Sequence, residues 1–138
     1  IKNEKFHLVI IGKFSNDVFD NVHNIIKSDG RIRFLGWKNA SELINYLYAG
    51  DVYIQPGSQS ATLQNSICAG CAVAVYPHIS YKLLLKDSAF YIADFNDIIE
   101  LFKSISDSPN TLSLKKKKCW DIATNILDYK KLASKMYQ

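Results

Sequence analysis

No apolar run in the sequence approaches the ~20 residues that a membrane span requires. No basic segment followed by an apolar stretch and a small-residue cleavage site opens it either. The chain begins at Ile1 rather than Met, which reads as a fragment, so a leader would not be legible in any case. Basic charge is scarce once one run is set aside. Seventeen Lys and Arg stand against thirteen Asp and Glu, and Lys115, Lys116, Lys117 and Lys118 account for the whole excess. A nucleic-acid protein spreads its basic residues along a binding face, so the distribution argues against that class. Cysteine is scarce too: Cys68, Cys71 and Cys119 are three in number. An odd count in apolar surroundings reads as reduced packing residues of a cytosolic chain, not a disulfide framework. Cys68 and Cys71 have Cys-x-x-Cys spacing, but no second pair completes a zinc site, and thioredoxin-type chemistry would put the motif at a helix start. Neither a metal nor a cofactor is expected.

What the chain does have is a core. Its 138 residues are 48% hydrophobic and 12% aromatic, which suits one compact domain spanning 1–138 and excludes wholesale disorder. Short apolar runs alternate with helix-period segments. The run FHLVII at 6–11, stopped by Gly12, reads as a strand buried on both faces. Ser15 can cap a helix carrying Val18, Val22, Ile25 and Ile26, which Asp29-Gly30 breaks. A strand at 32–35 ends at Gly36. Asn39 followed by Glu42 resembles a capping box and opens a helix with Leu43, Ile44, Leu47 and Tyr48. A strand at 51–55 leads through Pro56-Gly57 into a helix from about residue 60 to 69, ended by Gly70. A fully apolar strand follows at 72–76, then a short helix at 81–86 and a short strand at 90–92. Phe95, Ile98, Ile99, Phe102 and Ile105 mark an amphipathic helix, and the segment after Ser108-Pro109-Asn110 is helix-like in one or two pieces.

Alternating strands and helices imply parallel pairing, hence an α/β, Rossmann-like, three-layer domain. Ligands of open parallel sheets bind at the carboxyl ends of the strands. Those ends carry Gly12-Lys13-Phe14, Gly36-Trp37-Lys38, Pro56-Gly57-Ser58-Gln59-Ser60 and Pro77-His78. The richest is Pro56-Gly57-Ser58-Gln59-Ser60-Ala61-Thr62, small, hydroxyl-bearing and opening a helix. Free N–H groups at that helix start would hold an anion, Gly57 would allow close approach to the backbone, and Ser58, Ser60 and Thr62 would add donors. Ser58, Ala61, Thr62 and Asn65 share a face, and the adjacent polar pair Gln64-Asn65 in a helix expected to be buried points to a ligand more than to a solvated surface. Lys13 can neutralise a phosphate or be a solvated loop lysine. Trp37 can stack on a ligand or be a lid on the core. His78 has a ring suited to acid–base or phosphate contact, but with no carboxylate partner it reads as a loop histidine; His7 and His23 read as structural or exposed. The lysine run, with the stripe Cys119, Trp120, Ile122, Ala123, Ile126 and Leu127, is either a membrane-surface contact or a solvated turn on a helix packed against its own domain.

The order Gly12-Lys13, then Ile32-Arg33-Phe34-Leu35-Gly36-Trp37, then YAGDVYIQPG at 48–57, then NSICAGCAVAV at 65–75 resembles GT-B glycosyltransferases. The match is to the C-terminal, donor-nucleotide-binding domain of the family 4 (group 1) type and covers about residues 6–102. The resemblance implies half of a GT-B fold, working in a longer chain as a hexosyltransferase that moves a sugar from a nucleotide-diphosphate sugar to a glycan or lipid-linked acceptor in bacterial surface polysaccharide synthesis. It implies a preceding strand–helix unit and an N-terminal acceptor domain that carries the catalytic base, so these residues alone would be inactive. It also implies a cytoplasmic location, at the inner membrane face if the lysine run reaches it. The substrate-binding residues it suggests are Gly12, Lys13, Gly36, Trp37, Gly57, Ser58, Gln59, Ser60, Ala61, Thr62 and Asn65. The family's paired glutamates, for donor sugar and ribose, fall on Gly57 and Asn65. Asn65 can still bond a ribose hydroxyl; Ser58, Gln59 or Ser60 would have to replace the sugar-binding carboxylate. The missing glutamates keep a non-catalytic accessory domain of the same fold open, and a nucleotide-sugar epimerase is a weaker alternative. A dinucleotide oxidoreductase fits poorly, because Gly12-Lys13-Phe14-Ser15-Asn16-Asp17 lacks the second and third glycines.

Overall fold

The computed structural model describes residues 5–136. The chain is an α/β protein in which parallel strands alternate with helices in the Rossmann-like manner. By internal contacts it divides into two compact units, Ile1–Leu43 and Ile44–Gln138. Strand pairing falls in two sheets, one in each unit.

The first unit is a βαβ element: β1 (Leu8–Ile10), α1 (Asn16–Ser28) and β2 (Ile32–Phe34). β1 and β2 are parallel, with Leu8 opposite Ile32 and Ile10 opposite Phe34. The strand at β1 was expected to be buried on both faces, yet Leu8 and Val9 are 42% and 45% exposed. Within this unit β1 pairs with β2 alone, and α1 contributes no fully buried residue. The apolar contacts concentrate in an aromatic group, with Phe14 and Phe34 ring centroids 4.8 Å apart and Phe19 6.2 Å from Phe34. Ser15 does occupy the N-cap of α1, but its hydroxyl bonds no helix N–H. The break at Asp29-Gly30 is held by charge. Asp29 Oδ1 accepts from the backbone N–H of Arg31 at 3.0 Å and from its Nε at 2.9 Å, and Oδ2 accepts from Nη2 at 2.6 Å. The Asn39/Glu42 box is real: Asn39 Oδ1 accepts from Glu42 N at 2.9 Å, and Glu42 Oε2 from Asn39 N at 3.2 Å. It opens α2 (Ala40–Ala49).

The second unit holds β3 (Val52–Gln55), α3 (Thr62–Cys68), β4 (Ala72–Val75), α4 (Ile79–Leu85), β5 (Phe90–Tyr91), α5 (Phe95–Asp107), α6 (Pro109–Asn125) and α7 (Tyr129–Met136). The sheet order is β3-β4-β5, all parallel. Central β4 reads AVAV and every residue is buried. Alternation puts its two valines on one face. They join Leu63 and Ile67 of α3, Tyr81 and Leu85 of α4, and Cys119, Ile122 and Ala123 of α6 in one apolar cluster. α5 starts with a capping box of its own, Asp94 with Asp97. Pro109 takes the first turn of α6, where its missing N–H costs nothing.

Cys71 is buried, with Sγ 3.1 Å from the Leu47 carbonyl oxygen, whereas Cys68 is exposed; all three cysteines are free thiols. Burial pushes the Cys119 thiol up to about 11. The Cys-x-x-Cys spacing therefore marks one packed and one surface residue.

The lysine run is not a solvated turn. It lies inside α6, where Lys115 Nζ donates to the carbonyls of Asp87 (2.7 Å) and Ala89 (3.0 Å) and lies 5.2 Å from the Phe90 ring centroid. Lys116 pairs with Asp51 at 3.0 Å, and Lys118 pairs with the Asp87 carboxylate, which the ammonium holds below its usual pKa. Lys117 is exposed. Three of the four lysines thus act inside the unit as a clamp on α6. Among the described residues no helix is long and apolar enough to cross a membrane.

Two outcomes follow from these contacts. Lys115→Met removes two charge-assisted bonds at a partly exposed site and is expected to cost about 1 kcal/mol in urea unfolding, while Lys117→Met stays within about 0.5 kcal/mol of wild type. The Arg31 hydrogen bonds hold the Asp29 carboxyl below its ordinary value, at about 2. A depressed carboxyl favours the folded state above its unfolded value, and that contribution is lost as pH falls through the folded one. Carboxyl NMR of Asp29 is expected to titrate near the lower value, and Arg31→Ala to return it towards the ordinary one.

Candidate functional site

The strand ends predicted to bind a ligand form one cluster in each unit. In the first unit, hydrogen bonding continues past the strands: Leu35 N donates to Ile10 O and Gly12 N to Gly36 O, both at 3.0 Å. Gly12 and Gly36 have φ of 144° and 68°, a region that side chains with a Cβ rarely enter. Each glycine therefore turns the chain sharply at a strand end, and a Cβ on either would meet nothing within 4 Å. The two turns bring their next residues together. Lys13 Nζ lies 5.9 Å from the Trp37 ring centroid, over the indole. Trp37 is 70% exposed, so it is not a lid on the core. A cation–π contact this open contributes about 0.5–1 kcal/mol.

In the second unit the loop after β3 is fastened to the segment after β4. The His78 ring lies with Nε2 3.0 Å from the Gly57 carbonyl, so that nitrogen carries the proton and donates. The Gln59 amide donates to Ser80 Oγ. Ser60 N donates to the Tyr81 hydroxyl at 2.8 Å. Within the loop, the Gln55 amide donates to the Ser58 carbonyl at 2.5 Å and accepts from the Tyr53 hydroxyl at 3.0 Å. His78, read from sequence as an ordinary loop histidine, is one of these cross-links. Its ring also packs against Tyr76 and Tyr81, at centroid distances of 4.9 and 5.6 Å.

These links change the helix start. α3 begins at Thr62, not near 60, and is seven residues long. Its first N–H groups are not free for an anion. Thr62 N donates to Ser60 Oγ (3.1 Å), Leu63 N to Ser60 O (3.2 Å) and Gln64 N to Ala61 O (3.1 Å). The pair Gln64-Asn65 is exposed, contrary to the burial expected of it. Leu63, Ser66 and Ile67 take the inward face at three- and four-residue spacing, which leaves 64 and 65 outside.

Between this loop and α4 lies an open cleft of about 330 Å³, with Gln59, Ser60, Ala61 and Gln64 on one side and Ser80, Tyr81 and Leu84 on the other. Its walls are amides, hydroxyls and short apolar surfaces, with no charged side chain. Such a lining suits an uncharged, hydrogen-bonding ligand over an apolar floor. Of the predicted residues, Gln59, Ser60 and Ala61 line the cleft. Gly57 and Ser58 stand exposed on the loop, Thr62 is half-buried, and Asn65 faces solvent on α3. Ser80, Tyr81 and Leu84 are the contributors that sequence reasoning missed. Among the described residues no group of three His, Cys, Asp or Glu could hold a metal ion.

A Cβ at Gly57 would meet nothing within 4 Å, and the residue has no left-handed backbone that would call for glycine. Gly57→Ala is therefore expected to keep or slightly raise the thermal midpoint, through the less flexible unfolded chain. A fall of several degrees in a melting curve would show that the loop needs glycine for its fold. Set against known proteins, the chain matches no family model and no curated protein.

Proposed function

We propose that this chain is the donor-binding part of a glycosyltransferase and holds a nucleoside-diphosphate sugar. The observation that carries the reading is the uncharged cleft at the carboxyl ends of β3 and β4, walled by Gln59, Ser60, Gln64, Ser80 and Tyr81. Amides and hydroxyls are the groups that exchange hydrogen bonds with sugar hydroxyls, and the location is the one where parallel α/β sheets bind ligands. The motif order from Gly12-Lys13 to NSICAGCAVAV supports the same assignment. Asn65, exposed on α3, offers an amide to the ribose hydroxyls. The chemical step needs a base from the acceptor side, which the resemblance assigns to another domain of a longer chain.

A second reading has its own support. Hydrogen bonds already occupy the first N–H groups of α3, and no carboxylate stands at Gly57 or Asn65. Both facts suit a non-catalytic domain of this architecture that positions a partner. Calorimetric titration of the chain with UDP, GDP and ADP separates the two. The donor reading expects one of them to bind, and Asn65→Ala to weaken it about fivefold, the equivalent of one hydrogen bond. Absence of binding by all three sinks the donor reading and leaves the accessory one.

A further inference from the structure

Every helix that follows β3 contributes buried residues except α7, all eight of whose residues are exposed. An isolated helix shorter than ~12–15 residues is marginal in water, so α7 has little to hold it beyond its start. There Asp128 Oδ1 accepts from the backbone N–H of Lys130 at 2.9 Å, and the Asp128 carbonyl accepts from Leu132 N at 2.9 Å. The turn before it is fixed: Leu127 packs against the core cluster and its N–H donates to the Ile122 carbonyl at 3.1 Å. The core thus presents a capped helix and leaves it uncovered. Its sides differ in kind. At 3.6 residues per turn, Tyr129, Leu132, Ala133 and Met136 fall within about 100° of the circumference, and Lys130, Lys131, Ser134 and Lys135 fill the rest. Tyr129, Leu132 and Met136 are 74%, 47% and 84% exposed. The three lysines make no ion pair among the described residues, and Lys131 reaches only the Asn125 amide oxygen, at 3.4 Å. No acidic residue stands between 129 and 136, so these charges are uncompensated, unlike those of Lys116 and Lys118 on α6.

We infer that α7 is a membrane-surface contact that lies flat on an anionic bilayer, with its apolar stripe just below the headgroups and its lysines on the lipid phosphates. The inference does not depend on the donor reading. Charge selects this occupant. Lysines beside an apolar stripe run their stems along it and keep the ammonium at headgroup level. Tyr129 suits the same boundary, ring inward and hydroxyl in the headgroup layer. A second copy laid across a two-fold axis would bring lysine against lysine. A neutral bilayer would cover the stripe and leave the lysines without counter-charge. Three large apolar side chains make a shallow insertion, so attraction to anionic headgroups has to supply the remainder. Binding of that kind is reversible and weakens as salt screens it.

The test is co-sedimentation of the full chain with vesicles of phosphatidylcholine alone and of phosphatidylcholine mixed with phosphatidylglycerol. Binding is expected to the mixed vesicles only, and to fall as salt is raised. Lys130→Gln, Lys131→Gln and Lys135→Gln are each expected to lower the partition coefficient about fivefold. Leu132→Ser combined with Met136→Ser is expected to lower it at least about tenfold. The same change of three charges made at Lys27, Lys82 and Lys103 is expected to cost much less than the α7 triple. Because no residue of α7 is buried, its variants keep the fold, which an unchanged thermal midpoint checks. Failure to sediment with the mixed vesicles overturns the inference. Equal loss in the α7 and control triples also overturns it, by reducing the effect to net charge, as does full binding by the double serine variant. Self-association that the serine variant abolishes gives the stripe to a second copy and sinks the lipid assignment. None of these outcomes bears on nucleotide binding, so the donor reading is decided by its own titration.

Discussion

β4 is buried along its whole length, and a strand in that condition needs a hydrogen-bonded neighbour on each edge and apolar cover on each face. The edges are met by β3 and β5. On the valine face, Leu63, Ile67, Leu85 and Ile122 supply the cover, each such side chain contributing about 1.5–3 kcal/mol when fully buried. α6 must lie where it does for that face to be dry. Lys115 fixes it there by reaching back to the carbonyls of Asp87 and Ala89, just before β5. The requirement of one apolar strand thus determines the position of a helix far along the chain. It also determines where the candidate cleft sits. Because β3 and β4 run in register from Val52 opposite Ala72 to Gln55 opposite Val75, the segments leaving them emerge side by side. Gly57, Gln59 and Ser60 then meet His78, Ser80 and Tyr81, each pair 21 residues apart.

Features governed by neighbours in sequence were legible. The AVAV run, the Asn39/Glu42 cap and the amphipathic period of α5 depend on residues within a turn or two, and they stand where the pattern put them. The helix start at 60 was misjudged because Ser60 turns its N–H to Tyr81, a partner no local rule reveals. The contacts of the lysine run, which the sequence left open between a solvated turn and a membrane-surface contact, were hidden for the same reason. Four consecutive cations look like a solvated turn, but a lysine stem is long enough to bring its ammonium to a carbonyl that lies 28 residues away in sequence. β1 erred in the other direction. Its apolar composition is that of a fully covered strand, and the first unit by itself gives it one partner strand and one helix.

The candidate site was legible as a set of strand ends but not as a set of contacts. Parallel alternation alone indicated the loops that carry the two clusters, since it places every β-to-α turn at one edge of its sheet. It said nothing of His78 as a loop fastener or of Ser80 and Tyr81 as a wall. A sharper signal was present in the register itself: two parallel neighbours of equal length predict that residues just beyond one meet residues just beyond the other. Applied to β3 and β4, that rule would have paired the loop at 57–60 with the segment at 78–81.

The two clusters differ in the kind of interaction they offer. The first unit presents a cation and an aromatic face, Lys13 and Trp37. The second presents only dipoles, from Gln59, Gln64, Ser60, Ser80 and Tyr81. A hydrogen bond between neutral groups contributes about 0.5–1.5 kcal/mol net, one to an ionised group about 1.5–3. On the donor-domain reading, replacing a sugar-binding carboxylate by neutral groups weakens the hold on the sugar. Amides and hydroxyls both donate and accept, so they also adapt to either orientation of a sugar hydroxyl, which an ionised carboxylate cannot do. On that reading, a cleft of this composition would bind a sugar more weakly and discriminate less sharply among neutral epimers, and it would disfavour a charged sugar because neither sign finds a counter-charge in its walls. Selectivity between neutral sugars would then have to come from shape and from the acceptor side.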